Sequence, residues 1–173
     1  MNNNDLHSGV VELRSDSLSL DDSSMMDQET ITLISVEGTR FDLSRKQALI
    51  SKLIETALSN DPKTQEIPVL NKYKDVELSK VVEFLKHHDG EAPAIPEQPL
   101  RSKKMSDVTT EWCANFVEQI GKNRDLLYKV IDIANYFDIP SLLHICCAKV
   151  ASLIKGEKLE NIKTILITNE LEN

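Results

Sequence analysis

Ala134-Asn135-Tyr136-Phe137-Asp138-Ile139, followed by Leu142-Leu143 and by Lys149-Val150-Ala151-Ser152-Leu153-Ile154-Lys155-Gly156, is the stretch whose reading decides the fold. It joins two segments of helical period. Placing residues 124–138 at 100° intervals puts Leu126, Leu127, Val130, Ile131, Ile133, Ala134 and Phe137 on one face, the core side. Tyr128, Lys129, Asp132, Asn135 and Tyr136 fall on the opposite face. Tyrosine suits interfaces because its ring buries a large area while its hydroxyl still finds a partner. The rings could equally lie over neighbouring loops, and geometry alone does not choose.

The next helix, 141–155, has only Ser141, His144, Lys149 and Ser152 as polar residues, so it needs cover on two sides. A last helix at 158–168 carries Leu159, Ile162, Ile165, Leu166 and Ile167, with little chain after it to bury them. Apolar faces of that kind mark interaction sites. The cover is a partner, a self-contained helical layer or a homodimer seam.

Upstream, Ile31, Leu33 and Ser35 alternate with Thr32 and Ile34, and Glu37-Gly38 turns the chain into Phe41 and Leu43, a hairpin pattern. Ser44, with Gln47 three residues on, opens a helix as a capping box, and Leu49, Ile50, Leu53, Ile54, Ala57 and Leu58 give that helix one apolar face. Asn60-Asp61-Pro62 ends it. Glu66 to Leu70 reads as a third strand. Asp75 caps a helix that turns Leu78, Val81, Val82 and Leu85 inward. Pro93, Pro96 and Pro99 exclude a regular helix from residues 88–107, which read as a long mobile loop. Helices at 109–120, 124–138, 141–155 and 158–168 follow, with Gly121 and Gly156 as stops. Strands and helices first, then helices only, is an α+β order.

Residues 1–29 hold seven acids against Arg14, a net −6 of the whole chain's −8. They read as a disordered acidic tail, serving solubility or carrying a short motif around Val10-Val11-Glu12-Leu13. Net negative charge argues against nucleic acid as a partner, and no stretch has the length of a membrane span. Cys113, Cys146 and Cys147 form no spaced pairs, which suggests a reducing compartment, cytoplasm or nucleus. Adjacent Cys146 and Cys147 diverge by about 100° on a helix and cannot share a zinc ion; burial as small apolar groups suits them. His87 and His88 read as solvated charges at a helix C-terminus. Arg101, Lys103 and Lys104 read as a solvated basic cluster. No catalytic constellation, cofactor or metal is expected.

Residues 30–169 resemble the S-phase-kinase-associated adaptor family of SCF ubiquitin ligases. The resemblance rests on Ile31-Thr32-Leu33 with Glu37-Gly38 and Phe41, Val81-Val82-Glu83-Phe84 with His87-His88, Trp112 four before Phe116, and above all the Ala134–Ile139 and Lys149–Gly156 stretches. It implies a BTB/POZ-like domain over 30–139, a small three-stranded sheet with helices, extended by F-box-binding helices over 140–173. It implies a non-enzymatic adaptor joining an F-box protein to a cullin. Asn135 and Tyr136, with Tyr128 and Asp132 on the same face, are then the cullin-contact candidates. Cys146, Val150, Leu153, Ile154, Ile162, Ile165 and Leu166 are the F-box-contact candidates. The family continues past the position of Asn169 with an acidic helical segment, so part of the F-box clasp is expected to be missing or supplied by another subunit. Elongin C resembles the same core but ends near Asp138-Ile139. The alternative is a structural subunit that stabilises an F-box-like partner without cullin. A chain free of its partner is expected to relieve its apolar surface by homodimerisation.

Overall fold

The computed structural model describes residues 29–69 and 73–167. The acidic tail to residue 28, residues 70–72 and the chain from residue 168 lie outside the described residues. The fold is α+β: the described residues form a three-stranded sheet and seven helices. Strand β1 (Thr30–Ile34) pairs antiparallel with β2 (Arg40–Ser44), Leu33 opposite Phe41, and parallel with β3 (Glu66–Pro68), giving the order β2-β1-β3. The β1–β2 turn needs Gly38, whose φ is +84°, a region costly for side chains. Ile31, Leu33 and Leu43 are buried, as the alternation predicts. Thr32, on the other face, is buried as well, and its hydroxyl donates to Asp42 Oδ1 at 2.7 Å.

The single helix expected after Ser44 is two helices. Helix α1 (Arg45–Ala48) has the expected capping box between Ser44 and Gln47. The chain then turns at Leu49–Ile50, and Ser51 caps α2 (Lys52–Asn60) by accepting from Ile54 N. The break has a distant cause: Ser51 Oγ donates to Phe137 O at 2.6 Å, and the Leu53 amide donates to the same carbonyl. Helix α3 (Asp75–His88) also starts differently from expectation. Lys74 holds the cap position and Glu77 accepts from its amide at 2.8 Å, so Asp75 is the first helical residue.

The Pro-rich segment leads through a 3₁₀ turn (Met105–Asp107) to α4 (Glu111–Gly121), capped by Thr110. Met105 is buried and Leu100 is partly buried against the core. Helix α5 (Arg124–Tyr136) is capped by Asn123, and α6 (Pro140–Ile154) opens on a proline, which has no amide hydrogen to waste there. Gly156, at φ +72°, turns the chain into α7 (Leu159–Ile167). One continuous core runs from Ile31 and Leu33 through Phe84, Leu127 and Phe137 to Leu142, Ile145 and Cys146. The first half of α6 therefore belongs to the same packed body as the sheet.

Candidate functional site

Two surfaces flank α5 and α6. Five of the seven residues assigned to the inner face of α5 are buried: Leu127, Val130, Ile133, Ala134 and Phe137. Leu126 and Ile131 are partly buried. On the outer face Asp132 and Asn135 are exposed and Tyr136 is partly buried. The Tyr136 ring leans on Tyr73 (centroids 5.4 Å apart) and edge-on against Phe137 (5.2 Å). Tyr73 is buried, and its hydroxyl donates to Asp132 O at 3.3 Å. The C-terminal end of α5 is closed by α2: the Lys52 amide donates to Asp138 O at 3.2 Å and that of Leu53 to Phe137 O at 3.3 Å. Nearby, Lys129 bridges to buried Glu77 at 3.1 Å. Burial pushes the Glu77 carboxyl up. The hydrogen bond from Lys129, the backbone amides and the lysine charge together outweigh it and leave the group below its ordinary value. The Tyr136 side of this surface is thus braced from behind.

The second surface is built the other way. Three of the four polar residues of α6 point inward. Ser141, Lys149 and Ser152 are buried, while Cys147 is exposed and Leu143, Val150, Leu153 and Ile154 are only partly buried. Lys149 crosses α4, where a Cβ on Gly121 would lie 2.8 Å from its Cε. Its ammonium reaches Glu118 at 2.6 Å. A buried lysine needs such a partner, and the pairing turns the apolar stripe of α6 outward. Helix α7 has no buried residue; Leu159 is 84% and Ile167 69% exposed. Its last turn is held by α5: Tyr128 Oη donates to Leu166 O at 2.6 Å and Arg124 Nε to Ile165 O at 3.4 Å.

Residues 29–90 match the Skp1 family, tetramerisation domain. A Tetrahymena thermophila protein described as an S-phase kinase-associated protein 1 homolog is 33% identical over 141 residues, 81% of this chain and 83% of that one. An Arthroderma otae protein described as E3 ubiquitin ligase complex SCF subunit sconC is 35% identical over 142 residues, 81% and 84% of the two chains. Its Neosartorya fischeri counterpart is 34% identical over 143 residues, 82% and 87%. The chain belongs to the Skp1 family.

Within this Skp1-family chain the structure sorts the candidates. Asp132, Asn135 and Tyr136 share one exposed end of α5. Tyr128 sits at the other end, and its hydroxyl is engaged with α7. Val150, Leu153, Ile154, Ile162, Ile165 and Leu166 are partly buried along α6 and α7. Cys146 does not join them. It is fully buried, because it shares the inward face of α6 with Leu142, Ile145 and Lys149, and burial pushes its thiol up. Cys147, expected to be buried, is the exposed cysteine. Sequence reasoning missed Arg124 and Tyr73, whose partners are 41 and 59 positions away; nothing local marks them.

The two histidines of α3 also differ from expectation. His87 is exposed but stacks on Trp112 (centroids 3.7 Å apart, planes within 4°), which stacks in turn on Phe116. His88 is half-buried against Phe84 and Trp112, with Nε2 3.5 Å from Cys113 Sγ. Burial, then the neighbouring His87, lowers it from 6.5 to about 4. His88 is therefore a neutral ring at physiological pH and not an end charge: burial outweighs the helix dipole here. In the Pro-rich segment Arg101 pairs with Glu97 at 3.0 Å and Lys103 with Glu157 at 2.7 Å. Among the described residues no group of His, Cys, Asp or Glu is arranged to hold a metal ion, and no helix is long and apolar enough to cross a membrane.

Proposed function

We infer that this chain is the adaptor subunit that joins an F-box protein to a cullin in an SCF-type ubiquitin ligase. The observation that carries the reading is the open apolar face of α6 and α7 on a chain of the Skp1 family. An amphipathic helix laid along Val150, Leu153 and Ile154 would bury them. Each fully covered aliphatic side chain is worth ~1.5–3 kcal/mol relative to exposure. The braced end of α5, with Asp132, Asn135 and Tyr136, is the cullin side. Tyr136 presents an aromatic ring already fixed by Tyr73, so little side-chain entropy is lost on contact. The adaptor does no chemistry itself; it holds the parts that do. We place it in the cytoplasm or nucleus, in keeping with three free cysteines.

Two reciprocal variants test the reading by calorimetry. Asn135→Ala with Tyr136→Ala should weaken cullin binding about tenfold or more, the range of an interface hot spot, and leave F-box capture intact. Ile154→Asp with Ile162→Asp should abolish F-box capture, because each places a charge in a dry interface, and leave cullin binding intact. A wild-type chain that captures an F-box protein but never a cullin would instead make it a structural subunit. A wild-type chain that stays monomeric at high concentration in light scattering would remove homodimerisation from the account.

A further inference from the structure

Arg124 stands where elementary electrostatics disfavours it. It is the first residue of α5, and the N-terminus of a helix is the positive end of the dipole. It is also only 4% exposed, and burying a cation costs unless it is well bonded. What the position gives in return is a junction. The guanidinium donates to Gly121 O at the end of α4 and to Ile165 O in α7, so one side chain ties three helices. One turn along α5, Tyr128 makes the same kind of contact: its hydroxyl donates to Leu166 O at 2.6 Å. The two donors share one face of α5, and the two acceptors are consecutive carbonyls of α7.

Helix α7 needs such help. None of its side chains is fully buried, and Leu159 and Ile167 are largely exposed. A helix in a protein draws most of its stability from a packed face, and α7 has little of one. The linker before it is tied by Lys103 to Glu157 at 2.7 Å and by Lys155 to Leu100 O at 2.7 Å. Both are surface contacts, which contribute little. The contacts from α5 reach the helix itself, and one of them comes from a buried residue.

We propose that Arg124 and Tyr128 are positioning residues of the F-box-binding face. They hold α7 in place before a partner arrives, so that the α6–α7 surface is set in advance. The proposal rests on the reading of that surface as the F-box site. It also moves Tyr128 from the cullin side to the F-box side, since its hydroxyl is committed to α7. A face that is in place only part of the time binds with an affinity reduced by that fraction. Losing one hydrogen bond of ordinary strength shifts such a local equilibrium roughly three- to tenfold.

Tyr128→Phe keeps the ring and removes only the donor. In the free full chain it should speed amide exchange in α7 roughly three- to tenfold and leave α3 and the sheet as slow as before. It should slow association with a purified F-box domain and weaken binding about two- to fivefold, with cullin binding unchanged. A 4-aminophenylalanine at position 128 puts an N–H donor at the same place and should restore both values, which it would not do for a general loss of stability. Arg124→Lys keeps the charge but donates from one point instead of a planar fork, and should raise α7 exchange in the same way. No change there removes Arg124 from the proposal. Unchanged α7 exchange in Tyr128→Phe overturns it. So does faster α7 exchange with F-box affinity untouched, a result that rejects the positioning role while wild-type capture keeps the F-box reading. Loss of cullin binding in Tyr128→Phe would return the tyrosine to the cullin side and overturn the proposal too. A wild-type chain that binds no F-box domain rejects the reading, and the positioning role with it.

Discussion

Helices α5 and α7 meet where Arg124 and Tyr128 reach the Ile165–Leu166 turn, yet they are built on opposite terms. Helix α5 turns five large or small apolar residues into a closed core and leaves a polar face whose tyrosine is braced from behind. Helix α7 buries no side chain fully, and two hydrogen bonds from Tyr128 and Arg124 hold its Ile165–Leu166 turn. The first region is stable without help and presents a finished surface. The second keeps its apolar side chains in reserve, an arrangement that suits a surface completed by another chain. A small adaptor thus holds one rigid side and one side that a partner finishes.

The largest difference should appear on truncating one side chain from each region. Phe137→Ala removes a fully buried ring whose neighbours include Tyr136 and the carbonyl contacts of α2, and should cost about 3–5 kcal/mol in denaturant unfolding. Leu159→Ala, at a position 84% exposed, should change stability by less than about 0.5 kcal/mol. Equal costs would erase the contrast.

A smaller effect sharpens the boundary between the regions. Glu118→Ala strands the ammonium of Lys149, a residue 8% exposed, at the point where α6 passes from core to open face. Because Glu118 is itself half-exposed, the loss should be about 1–2 kcal/mol and not the larger cost of a fully buried pair. Ser51→Ala removes both the α2 cap and the hydrogen bond to Phe137 O, and should cost a similar ~1–2 kcal/mol. A neutral result in thermal unfolding would mean that water replaces Ser51 at no cost.

A further effect is a pH dependence that arises in the closed region. His88 stays neutral in the folded chain down to about pH 4, whereas an exposed imidazole titrates near 6.5. Below pH 6.5 the unfolded chain binds a proton that the folded chain refuses. Stability that is full above 6.5 should therefore decline as pH falls toward 4. His88→Phe should flatten that part of the melting-temperature profile. An unchanged slope would assign it to other groups.

These features were unequally legible in the sequence. The inner face of α5 was readable because Leu127, Val130, Ile133, Ala134 and Phe137 recur at helical spacing and burial follows the period. The turn at Glu37-Gly38 and the box at Ser44 and Gln47 were readable because their chemistry is local. Helix α6 was not, since its inward polar residues depend on Glu118 and Gly121 of another helix. The break before Ser51 depends on a carbonyl 86 positions away. The neutral state of His88 depends on Trp112, brought over it by the fold. Asn135 and Tyr136 could be placed on an outer face by geometry, but only the family resemblance gave them a partner.

Hydrogen exchange of the full chain, with and without a bound F-box protein, tests the contrast most directly. In the free chain, amides of β1, α3 and the buried part of α5 should exchange slowest, and those of α7 at least about a hundredfold faster, as expected for a helix with no buried side chain. Binding should slow exchange in α7 and the second half of α6, with little change in the sheet. An α7 already as protected as α5 in the free chain, or a partner that leaves it unprotected, would contradict the account.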